Sequence, residues 1–206
     1  MKRRVALFLN LLFCLAPSGL IPTAAAAQEL ISYDHAWRYQ FAGRDLSNPL
    51  LYAFMDPLFD DSTWNIGMGS FGDGAVQDGL CSLQPCCPLQ ASARTGWCCV
   101  NRLLLRTHFQ IAPGTPIVGY FTVDNEAWIW VNGSLVAYVS LGDGCPVHDE
   151  FTFSVPTTIL TADSSNVIAV HANNNGGEAY FELRLTVDIP TAVHHDSWGG
   201  LKLLYR

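Results

Sequence analysis

Apolar and polar side chains alternate with a period of two along much of this chain. Residues 102–111 alternate Leu, Phe and Ile with Arg, His and Gln, which predicts a strand with one buried face. Residues 179–189 alternate in the same way, and their polar face is expected to be solvated. Residues 166–172 are nearly all apolar, which favours a central strand covered on both sides. Further strands are predicted at 37–41, 116–123 and 150–155.

Two β-rich runs meet at Asn132-Gly133, a pair typical of two-residue hairpin turns. Because side chains alternate across a strand, every second residue from Ala127 onward shares one face. Trp128 and Trp130 share the other face, about 7 Å apart. If that face is open, it presents two aromatic plates.

The many short strands are separated by Gly, Pro, Asn and Asp, and no stretch has a helical period. This pattern predicts an all-β protein, a two-sheet antiparallel β-sandwich or jelly roll. Residues 72–99 differ, because they are rich in Gly, Pro and Cys. We expect them to form a long irregular Cys-rich loop insertion that is pinned or functional.

The N-terminus reads as an export signal. Three basic residues, an apolar run at 5–16 and small residues ending at Ala27 predict a secretory signal peptide at 1–27. The apolar run is too short to span a bilayer, so we expect no transmembrane segment in the mature chain. The protein is expected to be secreted, whether extracellular, periplasmic or attached to the cell surface. The sandwich domain is placed at 28–190, followed by a tail at 191–206 that is either a sorting or attachment segment or an edge-packed end.

The charge balance excludes some partners. The chain has 11 Lys and Arg against 18 Asp and Glu, a net charge of −7, which becomes −10 without the three basic residues of the signal peptide. A nucleic-acid groove or contact with an anionic membrane surface is therefore not expected.

Six cysteines remain after the predicted cleavage, an even number in an oxidising compartment, and disulfides are the first interpretation. They are Cys81, Cys86, Cys87, Cys98, Cys99 and Cys145. Because neighbouring cysteines bridge to each other poorly, we expect the pair at 86–87 to bond with the pair at 98–99, leaving Cys81 for Cys145. A thiolate metal site is the alternative, although adjacent cysteines lack the spacing that lets two sulfurs face one zinc.

Aromatic residues are the first candidates for ligand contact. Trp128 and Trp130 have the chemistry to stack on sugar rings, but a pair on one face is equally consistent with core beneath the Cys-rich loop. Trp97, between Gly96 and Cys98 in that loop, would complete an exposed platform. Its alternative is to plug the disulfide-linked loop from inside.

Polar candidates fall in two turn-rich runs, 142–150 and 171–177, which we expect to meet at one end of the sandwich. There, carboxylates and amides would hydrogen-bond sugar hydroxyls while an aromatic ring stacks. Two solvated turns are the alternative. A weaker pattern at 72–79 suggests a structural calcium loop, but it lacks the ligand periodicity of known calcium loops. The polar candidates are Asp143, His148, Asp149, His171, Asn173 and Asn174.

The sequence carries no convincing catalytic motif. The carboxylate pairs at 60–61 and 149–150 are adjacent and point apart along a strand, whereas glycoside hydrolysis needs two carboxylates facing each other across a cleft. No Gly-x-Ser-x-Gly or His-Glu-x-x-His pattern occurs. We therefore expect a protein that is not an enzyme.

Five motifs follow one another in a fixed order. They are Trp37-Arg38-Tyr39; the run 59–64 with the glycines of 67–72; Arg106-Thr107-His108-Phe109; the run 124–133; and residues 166–170. Together they resemble the galactose-binding-like (jelly-roll) β-sandwich of secreted bacterial proteins, found beside glycoside hydrolases. The resemblance covers about residues 30–189, and the Cys-rich insertion departs from it. It implies a domain that recognises carbohydrate, sometimes holds a structural calcium and has no catalysis of its own.

The sequence thus predicts a secreted, non-catalytic, lectin-like module whose partner is a glycan or another cell-surface polymer. The alternative is a structural or adhesion protein of the cell surface or extracellular matrix. A small glycoside hydrolase is a third interpretation. Apart from calcium, no cofactor is expected, and the oligomeric state is left open.

Overall fold

The computed structural model describes residues 28–43, 48–75, 87–97, 102–142, 144–162 and 164–187. The signal peptide and the tail at 191–206 lie outside these residues, so both assignments stay predictions. Within the described ranges there are twelve strands, one four-residue helix, α1 (Leu50–Ala53), and three 3₁₀ turns, at Asp73–Ala75, Gln90–Ser92 and Thr157–Ile159. The all-β prediction is confirmed.

Two sheets form the sandwich. Sheet 1 has the strand order β10-β7-β12-β4-β5, and β1 also pairs with β12. All its pairs are antiparallel except β4 with β5. Its strands are β1 (Glu29–Ile31), β4 (Phe71–Gly72), β5 (Thr95–Gly96), β7 (Ile117–Asp124), β10 (Phe151–Val155) and β12 (Tyr180–Val187).

Sheet 2 is antiparallel throughout, with the order β3-β2-β6-β11-β8-β9. Its central strand β11 is buried along most of its length, as its apolar sequence predicts. The strands are β2 (Ala36–Ala42), β3 (Asn65–Met68), β6 (Arg102–Gln110), β8 (Glu126–Val131), β9 (Ser134–Ser140) and β11 (Ser165–Asn173).

The main core fills the space between the sheets. Alternate residues of β12, from Phe181 to Val187, meet alternate residues of β6, β8 and β11 there. Burying these side chains stabilises the fold by roughly 1.5–3 kcal/mol for each large one. The period-two pattern therefore selects the inner face of each strand.

A second apolar cluster lies on the outer face of sheet 2. Phe54 and Trp64, from the segment 48–64 that contains α1, cover Leu104 of β6 and Ala169 of β11. Leu104 lies between the inward-facing Leu103 and Leu105, so β6 is buried on both faces here. The segment 48–64 therefore covers part of a face that would otherwise be open.

Candidate functional site

The β8–β9 hairpin forms as predicted. Asn132 (φ 48°) and Gly133 (φ 78°) both have the left-handed backbone of a type I′ turn. The side-chain amide of Asn132 donates to Ile159 O and Asn166 Oδ1, each at 2.8 Å, and its Oδ1 accepts from Val167 N at 2.9 Å. These bonds tie the turn to β11 and fix the end of β8 and the start of β9.

The two faces of β8 also follow the prediction. Ala127, Ile129 and Val131 are completely buried in the main core, so Trp128 and Trp130 lie on the outer face of sheet 2. They have different surroundings. Trp130 packs edge-on against Phe54, with ring centroids 5.6 Å apart, and belongs to the second apolar cluster.

Trp128 is the middle member of an aromatic row that crosses three neighbouring strands. It lies opposite Tyr138 of β9 and His171 of β11. Its ring stacks on Tyr138 with centroids 5.0 Å apart and on His171 at 4.8 Å. Both faces of Trp128 are therefore covered, so the condition under which the pair would present two open aromatic plates is not met. Tyr138, at 54% exposure, is the accessible ring of the row.

A polar row lies beside the aromatic row on the same face. Glu126 accepts hydrogen bonds from Asn173 Nδ2 at 2.9 Å and from Ser140 Oγ at 2.8 Å. Asn173 also donates to Asn175 Oδ1 at 2.8 Å. Partial burial of Glu126 raises its pKa, but the bonds from Asn173 and Ser140 outweigh this, so the net pKa lies below its usual value. Glu126 is thus held as a carboxylate among amide and hydroxyl donors.

His171 joins the two rows as a neutral ring. Burial, and then the nearby Arg102 charge, lower the pKa of His171 to about 4. Its Nε2 atom is inaccessible and has no hydrogen-bond partner. At neutral pH, His171 therefore acts as a flat, uncharged support for Trp128.

His148 and Asp149 lie on the opposite side of the sandwich, on the outer face of sheet 1. His148 Nδ1 is 2.5 Å from Glu182 Oε1, and Asp149 is paired with Arg184 at 2.7 Å and with the Tyr33 hydroxyl. The side chains of His148 and Asp149 thus bond to β12 and Tyr33, and a ligand site shared by the runs 142–150 and 171–177 stays a prediction.

Both runs lead from sheet 2 to sheet 1 at the same end of the sandwich, the first from β9 to β10 and the second from β11 to β12. Asn125 lies between them: its main-chain oxygen accepts from Leu141 N, its N–H donates to Asn173 O, and its Oδ1 accepts from Asn175 N.

In this polar cluster on sheet 1, the pKa of one carboxyl group, Glu182, is raised and that of the other, Asp149, is lowered. Burial raises the pKa of Glu182, which also accepts from Tyr180 OH at 2.8 Å. For Asp149, partial burial raises the pKa, but Arg184 and Tyr33 outweigh it and the net pKa is lowered. Glu182 is only 2% exposed, so the polar face of β12 is not solvated as expected: the loop carrying His148 covers it.

Three other residues predicted to bind a ligand are not exposed in the part of the chain that the structure describes. Trp97 is fully buried in the main core, so of its two interpretations the exposed platform is wrong and the buried one agrees with the structure. Asn174 is 2% exposed, and its side chain closes its own turn by bonding Gly176 N and Gly177 O. Asp143 lies outside the described residues.

One disulfide joins Cys87 to Cys145, which corrects both pairings predicted for these two residues. The reason is tertiary. Gln90, close after Cys87, donates to Asp124 Oδ2 at the end of β7, and Asp124 and Cys145 line one cavity of about 210 Å³. The other cysteines of the prediction, Cys81, Cys86, Cys98 and Cys99, lie outside the described residues.

The described residues contain no group of three or more His, Cys, Asp or Glu arranged to hold a metal ion. Asp73, from the predicted calcium loop, is buried and accepts from Ala179 N at 2.7 Å. Asp78 lies outside the described residues, so the calcium loop stays a prediction. Within the same ranges, no helix is long and apolar enough to cross a bilayer.

Sequence reasoning missed several residues of these clusters, above all Tyr138, Glu126 and Glu182. Counting back from the Asn-Gly turn places Ala137 opposite Trp128. A register shift between Ile129 and Trp130 instead brings Tyr138 opposite Trp128. No residue type in β9 predicts that bulge from the sequence.

No protein-family model matches the sequence, and no curated protein is detectably similar to it. Solved structures are similar in fold. A Bacteroides uniformis β-glucuronidase has a TM-score of 0.50 and 16% identity over 78% of this chain and 18% of its own. A glycosyl hydrolase family 2 member from Bacteroides cellulosilyticus is similar with a TM-score of 0.48 and 21% identity over 76% of this chain and 20% of its own. A Lactobacillus rhamnosus β-glucuronidase has a TM-score of 0.49 and 13% identity over 79% of this chain and 28% of its own.

The chain thus spans between about a fifth and just over a quarter of the length of these enzymes. At such identities the likeness concerns the fold alone. The class defined by the fold is a β-sandwich like one that forms part of a glycoside hydrolase.

Proposed function

We propose that this protein is an exported, non-catalytic carbohydrate-binding module of the galactose-binding-like class. The observation that carries this proposal is the aromatic row Tyr138–Trp128–His171 beside the polar row around Glu126 on the outer face of sheet 2. Sugars offer C–H faces that pack on aromatic rings and hydroxyls that bond carboxylates and amides. Both kinds of group meet here on rigid strands.

The site chemistry supports binding rather than hydrolysis. A glycosidase needs a carboxylic acid with a raised pKa facing a second carboxylate. The pKa of Glu126 is lowered instead, and its hydrogen-bond partners on the described residues are amides and hydroxyls. Glu182 has a raised pKa, but it is buried beneath His148 on the other sheet.

Export is supported by the disulfide together with the signal-like N-terminus. Cys87–Cys145 needs an oxidising compartment to persist. The β-glucuronidase that shares the fold acts on carbohydrate by name, which is consistent with a carbohydrate-associated role for this sandwich.

A structural or adhesive role is the second candidate. Edge strand β3 exposes two large apolar side chains, Ile66 at 66% and Met68 at 45%. Exposed apolar residues on a free edge favour contact with another protein.

Depletion of the purified, oxidised protein by insoluble neutral and acidic polysaccharides tests the proposal. Saturable binding that Glu126→Gln weakens, with melting temperature unchanged and Leu58→Ala binding like the parent, supports it. Leu58 is 92% exposed on the segment 48–64 and serves as the control. If the parent binds none of the polysaccharides while Ile66→Ser or Met68→Ser changes its self-association, the adhesive role replaces this one.

A further inference from the structure

The aromatic row has one ring with a free face. Trp128 is covered on one side by Tyr138 and on the other by His171. His171 lies between Trp128 and Leu104, which is completely buried. A sugar therefore cannot stack on Trp128 or His171 without displacing a neighbour.

Tyr138 differs because β9 is the last strand of sheet 2. One face of its ring packs on Trp128, and among the described residues no other ring stacks on it. Its second face points past the edge of the sheet, away from β8. With 54% of the side chain exposed, this face is available to a ligand.

A groove runs along the same edge. It lies between β9 and β10, the edge strands of the two sheets, and has a volume of about 380 Å³, within the range of ligand clefts. Its residues are Phe121, Val136, Ala137, Tyr138, Val139, Phe151, Thr152, Phe153 and Ser154. Tyr138 thus belongs to both the aromatic row and the groove.

The groove combines apolar and hydrogen-bonding surface without charge. Thr152 and Ser154 are exposed on β10 and supply hydroxyls. Both edge strands have main-chain N–H and C=O groups that no described strand pairs with. None of the lining side chains is charged, so a ligand carboxylate would find no cation here, on a chain whose net charge is −7.

We propose that Tyr138 and the β9–β10 groove form a subsite for one neutral sugar ring of the carbohydrate ligand. The ring stacks on the free face of Tyr138, and its hydroxyls bond the edge main chain and the hydroxyls of Thr152 and Ser154. This inference rests on the proposed function and adds to it the location and the charge class of the ligand.

Binding constants for the oxidised protein on neutral polysaccharides (a glucan, a mannan and a galactan) and on an acidic polyuronate test the subsite. Tyr138→Ala is expected to weaken binding to the neutral ligand about tenfold, as loss of one stacked ring should. Tyr138→Phe, which keeps the aromatic ring, is expected to retain most of the binding affinity for the neutral ligand. Thr152→Glu, which places a charge in the groove, weakens binding without touching the aromatic row. Leu135→Ala, exposed on the same strand but outside the groove, is the matched control.

The outcomes separate this inference from the function on which it rests. If the parent binds no polysaccharide, the proposed function fails and the subsite with it. If the parent binds a neutral polysaccharide and both Tyr138→Ala and Thr152→Glu bind equally well, the function stands and the subsite is overturned. Binding confined to the polyuronate also overturns it, because the groove should reject a carboxylate.

Discussion

Arg106 is completely buried on β6, and its Nε atom lies 2.9 Å from Oδ2 of Asp61. The same guanidinium donates to the main-chain oxygens of Phe54, Asp56 and Phe59. Arg106 thus holds the segment 48–64 against the outer face of sheet 2, with Arg38 donating to Ser62 O and Trp64 O at its end. That segment covers Trp130 and leaves the Trp128 row as the open part of the face.

Arg106→Met should therefore loosen the segment 48–64 selectively. It leaves Asp61 and the main-chain oxygens without their donor, and breaking a largely buried charge pair costs about 3–5 kcal/mol. Urea unfolding measures the loss, and hydrogen exchange should show faster exchange in residues 50–64. Arg94→Ala, which removes an exposed ion pair with Asp34 at 3.4 Å, is the control and should cost little unfolding free energy. Equal losses for the two variants would contradict this account.

His171 should make stability depend on pH. The pKa of His171 is about 4 in the folded protein, below the ordinary value of 6.5. Between these two pH values His171 is protonated in the unfolded chain and neutral in the folded protein, so protons favour unfolding. The stabilisation is complete above pH 6.5 and is lost as the pH falls toward 4. The expected loss of unfolding free energy between about pH 7 and about pH 4.5 is on the order of 2–3 kcal/mol.

His171→Phe isolates this contribution, because it keeps a stacked ring that cannot titrate. The difference between the parent and the variant in urea unfolding at the two pH values gives the contribution of His171. If both proteins lose the same amount, His171 has no lowered pKa in the folded state.

The disulfide should stabilise the loop that covers Glu182. Cys87 and Cys145 are 58 residues apart, and closing a loop of that length in the unfolded chain is worth about 4 kcal/mol in the loop-entropy model. Cys145→Ser should lower the unfolding free energy by about 2–4 kcal/mol and leave Cys87 as a free thiol. Peptide mapping without reductant checks the pairing: a peptide linking Cys81 to Cys145 would show that the bond described here is wrong.

The two Asn-Gly pairs, at Asn132 and Asn175, should deamidate at different rates. Deamidation begins when the main-chain nitrogen of the glycine attacks the asparagine side-chain carbonyl and expels ammonia; water then opens the cyclic imide to aspartate or isoaspartate. The amide of Asn132 is held by three hydrogen bonds, whereas Asn175 is exposed beside Gly176.

Asn175 should therefore deamidate first in mildly alkaline buffer, which peptide mass spectrometry detects. The new carboxylate would lie next to the polar row, because Asn175 Oδ1 accepts from Asn173. Protein unfolded in urea is the control, since both sites are then free to react. Equal rates in the folded protein would refute the protection of Asn132.

Much of the fold and part of the site follow from the sequence. The Asn132-Gly133 turn, the buried face of β8 and the outward Trp128 are local consequences of strand period and turn geometry. Tyr138 is different. An extra residue in β9 shifts the register beyond Trp130, and this shift turns Tyr138 to the outer face opposite Trp128.

The sequence by itself determined the longer strands, their inner faces and the hairpin, because a period of two and a turn residue act over a few neighbours; the short strands β1, β3, β4 and β5 carry too few residues to show that period. The tertiary structure alone decided what covers each outer face. It buried Trp97, paired Cys87 with Cys145, placed His148 over Glu182 and left one face of Tyr138 open at a sheet edge. These contacts join residues far apart along the chain, and only the packing of two sheets and their connecting loops brings them together.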